Sequence, residues 1–163
     1  MPITKKALFY WKGTFKMETN FEKQEIYKTM KIDLKKAMNS GFYYQAIFIE
    51  YAIVEDRCLS VLKHAGVKYK NDKGQEIKLS AKLNRIRSNP AFTNTFVRKR
   101  LSLDFIDEIE SWKRNRDKLI HDLAKIPYDH ESVREIAENG QDIIKRLDNA
   151  VQSVNNHNRA KDC

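Results

Sequence analysis

The chain has 163 residues, of which 41% are apolar and 33% charged, a mixture that suits a folded domain rather than a disordered tail. A single domain of this length buries roughly 70% of its unfolded surface and needs no staples. Five glycines and three prolines are too few for an all-β chain, and two cysteines, Cys58 and Cys163, make neither a disulfide framework nor a zinc ribbon. The net charge is +9 with a pI of about 9.5, which points to a polyanionic partner.

Residues 1–19 form an arm that holds Phe9, Tyr10, Trp11 and Phe15, with Lys12-Gly13 as a turn signal. The rings are expected to dock on the body or on a second subunit. The first residues lack the apolar stretch and small-residue cleavage site of a secretory leader. A first long helix is predicted from about Glu22 to Asn39, on the repeat of Ile26, Met30, Leu34 and Ala37, with Thr19 or Asn20 as cap. A second runs from about Phe42 to His64, with Gly66 as its stop. Its stripe of Tyr43, Ala46, Ile47, Glu50, Val54, Arg57 and Val61 contains two charges seven residues apart. The run from Phe42 to Val54 is broken by Gln45 and Glu50 and falls short of the roughly 20 apolar residues that a bilayer helix needs. A cytoplasmic chain with no membrane partner is expected.

Residues 67–77 read as an exposed excursion turning at Asn71-Asp72-Lys73-Gly74. A short basic helix is predicted over about 80–88, closed by Asn89-Pro90. From Lys63 to Arg100 there are eleven basic residues against two acidic ones, and the rest of the chain is neutral. The positive excess therefore sits in one segment, 63–100, in which Lys78, Lys82, Arg85, Arg87, Arg98, Lys99 and Arg100 are the candidate contacts to nucleic-acid phosphates. A solvated Lys-rich loop has the same composition. A third long helix starts after Ser102, a good N-cap, and ends near Lys125 before Pro127. A fourth starts at Asp129 and runs through Val154, with Gly140 expected to loosen its middle. The tail, 156–163, is expected to fray. The fold class is all-α: an up-down four-helix bundle over 20–155, with an N-terminal arm and a basic insertion between helices two and three.

The third long helix carries the chemistry-bearing residues. With Leu103 at zero and about 100° per residue, Phe105, Ile109, Trp112, Leu119, Ile120 and Leu123 fall between about 160° and 260°, the buried face. Arg116 falls at about 220°, within that face. A buried guanidinium needs a partner or a cleft, and Glu50 in the second helix is the candidate partner. His121 lies near 0°, about 140° from Arg116, with Arg114 and Asp117 on its side. Asp117 is four residues from His121 and can orient its ring.

Arg116-Asp117-Lys118-Leu119-Ile120-His121 resembles the signature of HEPN domains, in which an Arg, usually followed by a polar residue, precedes a His by four to six intervening residues near the end of the third long helix. Arg114-Asn115 through His121 fits the longer spacing. The resemblance covers residues 20–155 and makes Arg116 the first choice for the family arginine, with Arg114 as the alternative. It implies a metal-independent ribonuclease that needs no cofactor. His121 would serve as general base or acid and Arg116 would hold the phosphate, with Asp117, Asn115, Arg114 and Glu50 in support. It implies a homodimer in which two copies face one cleft. A role as a toxin or antiphage effector would bring an antitoxin or nucleotidyltransferase partner. A non-catalytic HEPN-like bundle that binds protein or nucleic acid is the alternative.

Other motifs carry less. His121-Asp122 has the form of an HD phosphohydrolase pair, but His64, His130 and His157 stand at poor spacings for the remaining metal ligands. The glycines are isolated and cradle no phosphate. A helix-turn-helix over 78–110 would place Arg98-Lys99-Arg100 on duplex DNA phosphates.

Overall fold

Apolar periodicity of about 3.6 dominates the chain, and the fold follows it. The computed structural model describes residues 20–160 apart from 124, 126 and 128. The arm 1–19 lies outside the described residues, as do Thr19 and residues 161–163. Six α-helices occur among the described residues: α1 (Asn20–Asn39), α2 (Tyr43–His64), α3 (Leu79–Ser88), α4 (Thr95–Arg98), α5 (Leu103–Asp122) and α6 (His130–Arg159), with a 3-10 turn at Pro90–Phe92. No strand is present among them; one isolated antiparallel bridge joins Lys70 and Glu76.

The helix ends follow local chemistry. Gly41 (φ 72°) closes α1, donating to Met38 O at 3.2 Å while Phe42 N donates to Ala37 O at 2.8 Å. This paired motif needs a left-handed residue and explains the glycine. Gly66 (φ 63°) closes α2 in the same way. Ser102 Oγ accepts from Phe105 N at 3.1 Å and starts α5; Asp129 accepts from Ser132 N at 2.8 Å and starts α6.

α2 is the central helix, and α1, α3 and α6 all pack on it. α5 packs on α6 and α3. Tyr43 meets His130 at the start of α2 and α6, and Ser60 accepts from Asn155 near their ends, so these two helices run in the same direction. Trp112 bonds Ile136 O and Arg146 pairs with Glu108, so α5 and α6 run in opposite directions. The core of Ala46, Ile53, Val54, Ile106, Ile109, Leu147 and Val154 lies between these helices.

Three expectations need correction. The long connection is largely a folded layer: Leu79, Leu83, Ile86, Phe92, Val97 and Leu101 are all buried in the main core. Its turn forms as expected, with Asn71 Oδ1 accepting from Lys73 N and Gln75 N. α6 does not fray at 155. It continues to Arg159 because Asn155 bonds Ser60 and His157 stacks on Phe96 at 4.0 Å. Nor does Gly140 loosen α6, which is unbroken there. No described helix is long and apolar enough to cross a membrane.

Candidate functional site

α5 delivers the motif residues to two different surroundings. Arg116 faces α2. Its side chain is 17% exposed, and its guanidinium lies 4.2 Å from the centre of the Tyr51 ring and 5.5 Å from that of Phe48. This planar cation over aromatic faces gains both dispersion and electrostatic attraction. Arg116 Nη1 donates to Asp117 at 2.9 Å, while its buried Nε has no hydrogen-bond partner. Asp117 also accepts from Lys113 at 2.7 Å. Burial alone would raise the Asp117 carboxyl, but hydrogen bonds from Lys113 and Arg116 outweigh it and hold the group below its ordinary range. Burial raises the neighbouring Tyr51 hydroxyl, with the Glu55 carboxylate adding to the effect.

His121 faces the other way, with its side chain 71% exposed. Its Nδ1 lies 3.2 Å from Asp122 Oδ1 and 3.2 Å from Lys125 Nζ. Asp117, the residue expected to orient it, is engaged by Lys113 and Arg116 instead. No hydrogen bond or ion pair joins Arg116 to His121 among the described residues, in keeping with the angle between them on the helix. Arg114 and Asn115 are exposed; Asn115 borders a cavity of about 190 Å³ between α5 and α6, beside Trp112 and Asn139.

Glu50 does not pair with Arg116. It is 0% exposed, and neither carboxyl oxygen has a hydrogen-bond partner. It points at α6, where a β-carbon on Gly140 would stand 2.1 Å from Glu50 Oε2 and 3.0 Å from Trp112 Nε1. Burial pushes its pKa up to about 9, so the group is a neutral acid at pH 7. A neutral acid cannot serve as a counter-ion, which explains why Arg116 turns to Asp117. Arg57, the second charge in that stripe, is paired: it donates to the Tyr27 hydroxyl at 2.5 Å, stacks on that ring at 3.7 Å and meets Asp148 at 3.4 Å.

The seven basic candidates of segment 63–100 divide. Lys82 is not a surface cation. It is 0% exposed and meets Glu55 at 3.3 Å and Glu76. Arg98 donates to the carbonyls of Ile86, Arg87 and Leu101, closing the end of α3. Arg87 pairs with Asp107 and Arg85 bonds the Lys68 carbonyl. Arg100 stacks on Phe96 at 3.7 Å. Lys78 and Lys99 are exposed and have no partner among the described residues.

Sequence reasoning missed the largest cavity, an open groove of about 1660 Å³ between α1, α2 and α6. Tyr27, Lys31, Arg57 and Asp148 line it, and none of the predicted site residues does. The charge of Arg57 within an apolar stripe was its one legible sign. Among the described residues no group of three or more His, Cys, Asp or Glu is arranged to hold a metal ion. No family model, curated protein or solved structure matches this chain.

Proposed function

We propose that this chain is a metal-independent endoribonuclease of the HEPN type, acting as a homodimer. Its four long helices, α1, α2, α5 and α6, would form the up-down bundle of that family. Support for this arrangement comes from the alternating directions of the helix pairs. The observation that carries the functional reading is Arg116, a guanidinium laid on Tyr51 with an unpaired Nε, set four intervening residues ahead of His121 on the third long helix.

In this reading the ribose 2′-oxygen attacks the adjacent phosphorus, and the bond to the 5′-oxygen breaks, leaving a 2′,3′-cyclic phosphate and a 5′-hydroxyl. One His121 imidazole accepts the 2′-hydroxyl proton, and the mate in the second subunit gives a proton to the leaving 5′-oxygen. Arg116 stabilises the added negative charge on the phosphoryl oxygens. The two side chains diverge within one chain, so the cleft combines copies from two subunits. An activity of this kind suits a toxin or antiphage effector held in check by an antitoxin or nucleotidyltransferase.

That same divergence favours a second reading, a bundle that binds protein or nucleic acid without cleaving it. Purified wild type, His121→Ala and Arg116→Ala, each checked for folding by circular dichroism, separate the two. Cleavage to 2′,3′-cyclic phosphate ends that is lost in both variants supports the enzyme; degradation unaffected by either change sinks it.

A further inference from the structure

The side of α2 next to Arg116 carries three rings at helical spacing: Tyr44, Phe48 and Tyr51. Positions four and three residues apart align along one edge of a helix. Phe48 is 53% exposed and Tyr44 38% exposed, although both are large and apolar enough to be buried. Tyr51, half-buried, is already covered by the Arg116 guanidinium, which also reaches over Phe48. On the adjoining helix Arg114 and Lys118 are exposed and have no partner among the described residues. The row therefore interleaves open aromatic faces with cations and continues directly from the candidate phosphate-holding arginine.

Unstacked bases bind such a surface. Every base has a π face to lay on a ring, while nearby cations meet the phosphates between bases. A duplex keeps its bases stacked on each other and cannot use it. We infer that Tyr44 and Phe48, together with Arg116, form a stacking surface for the bases of single-stranded RNA. This rests on the ribonuclease reading above and names its substrate as single-stranded. Phe48, the more exposed ring, takes the base next to the phosphate held by Arg116.

The test uses the full chain and fluorescein-labelled 12-nucleotide strands carrying 2′-O-methyl groups, which bind without being cut. One strand bears bases; the other is abasic with the same number of phosphates. Fluorescence anisotropy is read for wild type, Phe48→Ala and Phe48→Trp, and each variant's unfolding temperature confirms its fold. Phe48→Ala is expected to weaken binding of the base-bearing strand by about 5- to 100-fold and to leave the abasic strand unchanged. Phe48→Trp should restore the loss. The inference is overturned if Phe48→Ala binds both strands as wild type does. It is equally overturned if both are lost in parallel, the result expected of a ring seated on another copy of the chain. Wild type that binds neither strand sinks the RNA reading as a whole, whereas intact binding insensitive to Phe48 sinks this inference alone.

Discussion

The carboxyl of Glu50 on α2 fills the space that a side chain at position 140 of α6 would need, with its Oε2 2.1 Å from where that β-carbon would lie. One residue is an acid without a hydrogen-bond partner; the other is the glycine that makes room for it. Gly140→Ala therefore sets two effects against each other. Alanine gains about 1 kcal/mol of helix propensity over glycine. Overpacking a closed core costs about 1–3 kcal/mol, and Trp112 blocks the acid's retreat. Gly140→Ala is expected to lower the unfolding temperature, and pairing it with Glu50→Ala should recover most of the loss.

The pH dependence of stability follows from the same acid. Its pKa is about 9 in the fold against an ordinary 4.5, so the folded state holds this proton more tightly than the unfolded chain. Its contribution to stability is fully present below pH 4.5 and is lost as pH rises towards about 9, with a slope of at most ~1.4 kcal/mol per pH unit. Glu50→Met removes the titration. The variant's advantage in unfolding temperature over wild type should grow between pH 5 and pH 8; a constant difference across that range would contradict a buried neutral acid.

Lys82 and Lys99 come from the same basic run but should behave as opposites. Lys82→Met leaves Glu55 and Glu76 without their shared cation. Both carboxylates keep some solvent access, so the expected cost is about 1–3 kcal/mol, at or below that of breaking a fully buried pair. Lys99→Ala removes an exposed, unpaired charge and should leave urea denaturation unchanged within about 0.5 kcal/mol. In RNA binding the roles reverse: Lys99→Ala should lower the salt slope by about one unit, and Lys82→Met should leave it alone.

Arg116→Lys tests whether the planar cation matters. Lysine keeps the charge but cannot lie flat on Tyr51 or offer a fork of donors to a phosphate. RNA cleavage by Arg116→Lys should fall about as far as by Arg116→Ala, by 100-fold or more on the scale of losing one transition-state donor. A lysine variant with near wild-type rates would show that charge alone suffices.

Helix positions were legible because their signals are local. Ser102 and Asp129 cap as their residue types predict, and Gly41 and Gly66 stop helices that no branched residue could stop in that conformation. Partner choice was not legible. A helical wheel placed Arg116 on the buried side of α5 and His121 on the exposed one, and the structure agrees. It could not say that the facing groups would be Tyr51 and Phe48, or that Glu50 would turn to α6. Nor does a lysine count separate Lys82 from Lys99. The difference lies in Glu55 and Glu76, which only the folded α2 and the 70–76 bridge bring to one point.

α2 has a further consequence as a shared wall. One flank bears the rings beneath Arg116; the other supplies Arg57 to the Tyr27–Asp148 cluster in the α1–α6 groove. Loosening that polar knot by substituting Asp148 would free the rod to turn about its axis, and the cation on its far side would lose register with its aromatic bed. Damage on a surface with no motif at all should thus be felt at the motif.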